Sequence, residues 1–375
     1  MKKRITLITW YKSPNYGTCL QAYALYSTLE HLGYNTMICN GVKKYSLKDK
    51  IILLIKKIVP TEILKWYYST LKSNKGFSYI KQKKIDSFVK QYQELKPKSE
   101  QDLDDIVFNT DVFITGSDQI WNTLHGYDPF MFLNFAKEKK RIAFASSIGT
   151  SDFNEIHKPI IKPLLDKFSH IGVREESAKL AISNLLQRND IQQVIDPTFL
   201  LSTDDWHSIA QNSEVEIALP QKYILCYLIG NNADYKKQLE RVSAITKVEK
   251  IIIIPAAENP NIQTSNSIVY TNAGPVDFIY LIEKASLVCT DSFHATALSI
   301  NLKKDFVNFL RFKENEKNSQ NSRIHDLLNR YGLNNRLYSI DTDEWKNHID
   351  YNGVNKLLAK DIKEGLLFLS NAIEN

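Results

Sequence analysis

The sequence predicts an α/β chain of two Rossmann-type, doubly wound domains facing across a cleft. Three observations lead there. Short runs rich in Ile and Val recur along most of the 375 residues, separated by stretches of helical character. The runs do not alternate with polar residues, which is the pattern of strands covered on both faces in a parallel sheet. The pattern also lapses after Asp196-Pro197, crosses a more polar stretch at 200–221, and starts again at Tyr223. Length agrees, because a single hydrophobic core stops growing at roughly 250–300 residues.

Taken in order, ITLITW (Ile5–Trp10) predicts the first strand. A helix is expected from Thr18 to Leu32, stopped by Gly33. Further strands are predicted over Asn35–Asn40, Val112–Gly116, Arg141–Gly149, His170–Glu175 and Gln192–Asp196. The second series runs through Tyr223–Gly230, Ile251–Pro255, Ser267–Thr271, Leu287–Asp291 and Asp305–Phe309, with a helix over Asp234–Thr246. Val354–Ala372 reads as one amphipathic helix. The expected organisation is a first domain over 1–200 with a helical insertion at about 43–100, a second over 221–353, and a helix over 354–375.

Composition sets limits on function. Apolar residues make up 43% and charged residues 24%, as in ordinary globular proteins. No apolar run approaches the ~20 residues that span a bilayer. The apolar stretch behind the basic N-terminus is too short for a secretory signal, so the expected location is the cytoplasm. Cys19, Cys39, Cys226 and Cys289 form neither a CxxC pair nor a metal spacing. They read as small apolar residues, with a catalytic thiol at Cys19 or Cys289 as the alternative. The net charge is +6, yet from Lys43 to Lys75 nine lysines face only Asp49 and Glu62. That stretch carries the whole excess, and the rest of the chain is close to neutral. A basic domain face for nucleic acid is therefore not expected. The stretch mixes its lysines with Ile, Leu, Trp and Tyr. This suits either a helix pair lying on an anionic membrane surface or a hairpin packed on the first domain.

In open parallel sheets ligands bind at the carboxyl ends of strands, so those ends carry the candidates. After the first strand, Asn15, Tyr16, Gly17 and Gln21 lie at a turn and helix start whose free N–H groups suit an anion or a sugar hydroxyl. The alternative is a plain turn. After the third, GSDQIWN offers Ser117 as a cap, Asp118 as a general base and Trp121 as a surface for a sugar ring. Capping and core packing are the alternatives. Arg174 ends another strand with a planar fork suited to phosphate or carboxylate, or to a salt bridge with its acidic neighbours. In LVCTDSFHATALS, Ser292 caps a helix and His294 falls in its first turn, where an anion would be favoured. Arg323 follows the polar loop 314–322 at another helix start. The remaining histidines lack such surroundings, and none is paired at HxxxH spacing, so no metal site is expected.

The segments NYGTCLQAYAL, FITGSDQIWN, IAFASSIG, IGVREESA, VIDPTFLL, TDSFHATALS and NSRIHDLL, in this order, resemble the polysaccharide pyruvyl transferase family. The resemblance spans about Ile5 to Leu333. It implies a GT-B-like arrangement of the two domains. It also implies transfer of pyruvate from phosphoenolpyruvate to two hydroxyls of a sugar, giving a cyclic ketal without a cofactor. By position, His294 matches the family's histidine near the donor, Arg174 the arginine after the IxVR strand, and Arg323 the arginine of the SRI segment. Some members carry an arginine two residues before the histidine, where this chain has Ser292. The implied partners are phosphoenolpyruvate and a sugar acceptor, free or lipid-linked; a lipid-linked acceptor would suit the membrane-surface alternative for residues 43–75, and the packed hairpin stays open beside it. Two alternatives stay open. One is a GT-B glycosyltransferase using a nucleotide sugar, with Glu283 or Asp291 on the ribose. The other is a non-catalytic sugar-binding protein of an assembly complex.

Overall fold

The computed structural model describes residues 2–41, 78–256, 262–313, 316 and 319–375. The basic stretch 43–75, with its membrane or hairpin reading, lies outside the described residues. The first sheet holds β1 (Arg4–Ile8), β2 (Asn35–Cys39), β3 (Glu94–Leu95), β4 (Val112–Thr115), β5 (Lys140–Ser146), β6 (His170–Val173) and β7 (Gln192–Gln193). All are parallel, in the order β3-β2-β1-β4-β5-β6-β7. The second holds β8 (Ile224–Tyr227), β9 (Ile251–Ile253), β10 (Ser267–Val269), β11 (Leu287–Thr290) and β12 (Phe306–Asn308), parallel in the order β10-β9-β8-β11-β12. Every strand expected from the sequence is present. The two-residue β3 was not foreseen, because its pair Glu94-Leu95 has no apolar run to announce it.

Burial on both faces explains the non-alternating strands. Ile5 to Ile8 are fully covered, as are Val112 to Thr115 and Ile224 to Tyr227. Each sheet has one switch point, between β1 and β4 in the first and between β8 and β11 in the second. Helix α1 (Tyr16–His31) follows β1. Its cap residue Asn15 accepts from Gly17 N, and Gly33 beyond its end has φ +90. Helix α2 (Tyr79–Phe88) precedes β3, and α3 (Glu100–Asn109) precedes β4.

The domains are not two bodies around an open gap. One apolar core runs through both, joining Tyr16, Cys19 and Leu20 of α1 to Tyr227, Phe278 and Leu298 of the second domain. The Tyr16 ring stacks on Phe278, centroids 4.7 Å apart. The polar stretch 200–221 is part of this junction. It holds a helix over Thr203–Ala210 with a Ser202/Asp205 capping box, and Trp206 is buried in the shared core. The last helix (Tyr351–Glu374) starts three residues before the predicted one. It begins in the second domain, where the Tyr351 hydroxyl donates to Lys304 O, and ends in the first. There Phe368, Leu369, Ala372 and Ile373 pack with Ile5, Leu7 and Phe144, and Lys3 Nζ donates to Ile373 O. No helix among the described residues is long and apolar enough to cross a membrane.

Candidate active site

The two switch points meet at His294. β11 ends at Thr290, and a helix over Phe293–Asn301, α4, starts after the cap Ser292, whose Oγ accepts from Ala295 N at 3.4 Å. All nine residues of α4 are buried, so its sequence shows no amphipathic stripe. The His294 ring rests on the first turn of α1. A Cβ built on Gly17 would lie 2.4 Å from His294 Nδ1, so only glycine fits at 17. On the other side, His294 Nε2 lies 3.4 Å from Arg174 Nη1 and 3.6 Å from Asp196 Oδ2. Nε2 thus faces a donor and a carboxylate together, and its proton occupancy decides which it engages.

Asp196 organises this corner, and the sequence reading did not single it out. Its Oδ1 accepts from Thr198 N and Oγ1, and its Oδ2 from Arg174 Nη1 and Ser117 Oγ. Burial works to raise its pKa, but the charges of His294 and Arg174 and the Thr198 N–H outweigh that and hold it well below the usual carboxylate range. Arg174 is caged in turn. Its Nε donates to Glu175 Oε1 at 2.7 Å, its plane lies 3.9 Å above the Phe293 ring, and Glu175 and Asp196 overcome burial to raise its pKa. Its Nη2 is buried without a partner, as is Glu175 Oε2.

Arg323 stands differently. It is 6% exposed at the start of a helix over Ser322–Arg330, and no carboxylate pairs with it among the described residues. Its Nε and Nη2 donate to Gln320 O and Oε1. With the Gln119 amide turned so that its oxygen faces donors, that oxygen accepts from Arg323 Nη1 at 2.7 Å. Burial, then the charges of Arg311 and Arg174, lower the Arg323 pKa to about 9 against the opposing pull of Glu175 and Asp118, so the cation persists at neutral pH with no carboxylate in salt-bridge contact among the described residues. Arg311 completes the set. Its Nε donates to Asp291 Oδ2 at 3.2 Å. Nothing in our reading marked Arg311, although it follows β12 much as Arg174 follows β6.

The same geometry corrects several sequence expectations. Trp121 is fully buried, stacked on Phe132 with Nε1 donating to Met131 O, so it offers no face to a sugar. Tyr16 is buried at the domain junction and donates to Ala273 O. Gln21 and Ser117 are fully buried as well. Gln21 Nε2 donates to Thr9, Trp10 O and Thr18 O, and its Oε1 accepts from Ser117 N. They brace the β1 and β4 loops from fully buried positions. Neither acidic residue suggested for a ribose is free. Asp291 accepts from Ile229 N, Gly230 N, the Tyr235 hydroxyl and Arg311, while Glu283 pairs with His207 and Lys284. The thiols are free and buried, and burial pushes Cys19 up to about 12, which removes it as a nucleophile.

Asp118 faces outward from this corner. It sits at φ +68, with Oδ2 accepting from Thr18 Oγ1 at 2.7 Å and Oδ1 from Gln119 N. Burial works to raise its pKa, but His294, Arg174 and these hydrogen bonds bring it below the usual value. It lines a cavity of about 860 Å³ on the first domain together with Asn15. A second cavity of about 670 Å³ on the second domain is lined by Gly230, Asn231, Arg311 and Lys313. Gln320 borders both. The arrangement can hold an anion near Arg323 and Arg311, and set a neutral partner beside Asp118. No three His, Cys, Asp or Glu side chains among the described residues gather as metal ligands.

Known proteins were compared in three ways. The family model described as "Polysaccharide pyruvyl transferase" matches residues 15–311. No curated protein matches. Among solved structures, UDP-GlcNAc 2-epimerase from Neisseria meningitidis bound to UDP-GlcNAc aligns at 12% identity and TM-score 0.49, covering 97% of this chain and 99% of that one. A glycosyltransferase from Streptomyces nogalater aligns at 9% identity and TM-score 0.48, covering 99% and 98%. The family match spans most of the chain, including β1's following helix, β4, β6, the His294 turn and Arg311. The chain belongs to the polysaccharide pyruvyl transferase family, and it is a transferase.

Proposed function

We propose that this transferase moves pyruvate from phosphoenolpyruvate to two hydroxyls of a sugar in a surface polysaccharide or its lipid-linked precursor, forming a cyclic ketal. The observation that carries the donor is Arg323, a buried cation with no carboxylate in salt-bridge contact among the described residues, near the unpartnered Nη2 of Arg174. A donor with a phosphate and a carboxylate supplies the missing negative charge. Arg323 and Arg311 take the role left open by Ser292, where some relatives have arginine.

His294 is the acid. It delivers a proton to the enol methylene, which becomes the methyl group, and positive charge develops at C2. A sugar hydroxyl bonds to C2 as its proton leaves towards Asp118. The C–O bond to phosphate breaks with its electron pair, and the second hydroxyl closes the ring. Net, one hydroxyl proton ends in the methyl group and the other on inorganic phosphate. Asp118 is a weak base because its neighbours stabilise the carboxylate. It therefore acts late, once the attacking oxygen carries positive charge. Asp196 holds Arg174 and faces His294 without touching the reacting atoms.

A thermal-shift titration tests the donor. Phosphoenolpyruvate is expected to raise Tm, and UDP-sugars to leave it unchanged. A rise with UDP-sugars alone would overturn the reading. His294→Ala is expected to lower acceptor-dependent phosphate release by about 10²–10⁴-fold.

A further inference from the structure

Trp10 is the more exposed of the two described tryptophans in the first domain, and its position is unusual for a free aromatic ring. It lies two residues beyond β1, at the switch point of the first sheet, and is 42% exposed. Its backbone is held, because Trp10 O accepts from Gln21 Nε2 at 2.9 Å. Gln21 is in turn fixed by Thr9, Thr18 and Ser117. The indole has no ring partner among the described residues and borders the 860 Å³ cavity. A large apolar face left in water over a rigid backbone is a preformed contact surface.

The rest of the cavity tells what would lie on that face. Its polar walls are amides and hydroxyls, with Asn15, Asn122 and Asn40 among them, and its carboxylates are Asp118 and Asp128. Among its described lining residues the one lysine, Lys12, is paired with Asp86, and His125 is the other basic side chain. The neighbouring cavity has the opposite character, with Arg311 and Lys313. Among the described residues an anion is therefore favoured on the second domain over the first. A neutral polyol has apolar C–H edges for an indole and hydroxyls for amides and carboxylates, and it suits the first.

We infer that Trp10 is the stacking platform for the acceptor's hexopyranose ring, and that this cavity selects a neutral unit over a uronic acid. The occupant's identity rests on the pyruvyl-transfer reading. The platform replaces the buried Trp121 as the aromatic contact and turns one face of the sugar towards Asp118.

The test is calorimetric titration of the full chain with methyl glycosides of glucose, galactose, mannose and N-acetylglucosamine, with methyl glucuronide as the charged counterpart. Phosphoenolpyruvate is titrated separately. At least one neutral glycoside is expected to bind. Trp10→Ala should weaken it by about tenfold, the size of one aromatic contact, while Trp10→Phe keeps most of the affinity. The glucuronide should bind more weakly, and the phosphoenolpyruvate titration should be the same in all three proteins. Neutral glycosides that bind Trp10→Ala as well as the native chain, no neutral glycoside binding at all, or a preference for the glucuronide would each overturn the inference. If glycoside binding depends on Trp10 but phosphoenolpyruvate does not bind, the platform stands and the donor reading falls. If phosphoenolpyruvate binds and glycosides ignore Trp10, the reverse holds.

Discussion

Gly17 and His294 share a space that holds only one side chain. The imidazole occupies it, and a methyl group at 17 would displace the ring that faces Arg174 and Asp196. Gly17→Ala is expected to destabilise the protein by about 1–3 kcal/mol, the usual effect of an overpacked contact. It should also lower phosphate release far more than that loss of stability explains, read by comparing rate with Tm in one preparation. Arg323 is expected to behave in the opposite sense. It carries buried charge with no carboxylate in salt-bridge contact among the described residues, so Arg323→Met should stabilise the free protein by about 1–4 kcal/mol while abolishing stabilisation by phosphoenolpyruvate. A variant that loses Tm would show that Gln119 and Gln320 already satisfy the cation. Lys81 is a second buried cation, on α2. Its Nζ has no hydrogen-bond partner and lies 4.3 Å from the Tyr16 ring centre, and burial lowers its pKa to about 8. Below that value the ammonium is charged in both folded and unfolded chains, and its desolvation destabilises the fold in full. As pH rises from about 8 towards the ordinary lysine value, the folded chain has shed the proton while the unfolded chain still holds it. Stability therefore increases. Lys81→Met is expected to raise stability at pH 7 by on the order of 1–3 kcal/mol, with the advantage shrinking by pH 10 in denaturant melts.

At the scale of elements, the strands were legible because a parallel sheet buried on both faces leaves continuous apolar runs, as in Ile5–Ile8 and Ile224–Tyr227. Strand ends then pointed to Asp118, Arg174 and His294, which the structure gathers around the meeting of the two switch points. What failed was the distinction between a side chain offered to a ligand and one that braces a loop. Gln21 and Ser117 are polar, and Trp121 and Tyr16 are amphipathic, so nothing local told their burial. For Gln21 and Tyr16 it is decided in part by distant partners, Ser117 for Gln21 and Phe278 for Tyr16, and for Trp121 by Met131 and Phe132 in the loop that follows. Asp196 was overlooked for the same reason. Its value comes from Arg174, Ser117 and His294, none of them near it in sequence. The helix Tyr351–Glu374 was foreseen as amphipathic, but which domain receives its apolar face was not readable. Phe368 inserts against Gly172, where a Cβ would lie 3.0 Å from its ring. Phe368→Ala is expected to cost about 3–5 kcal/mol in equilibrium unfolding, although it lies far from the site.

For the whole molecule, the shared core makes two topological domains into one thermodynamic unit. Tyr16, Trp206 and Phe278 belong to a single apolar cluster. Calorimetry is expected to show one unfolding transition, and Phe278→Ala to separate it into two or to broaden it. The site depends on that unity. The Gly17 seat and Asp118 come from the first domain, whereas His294, Arg311 and Arg323 come from the second. A hinge opening the junction would part His294 from Gly17 and Asp118. The terminal helix has a consequence for synthesis. The core of the first domain lacks Phe368, Leu369, Ala372 and Ile373 until the ribosome has made the entire second domain. An emerging first domain must therefore wait with β1, β4 and β5 partly uncovered, a state in which chaperones meet most nascent chains. Stalled nascent chains ending before residue 368 should be cut by protease within 1–200, and chains in which residue 373 has cleared the tunnel should resist. The part of the protein made first is the part that is finished last.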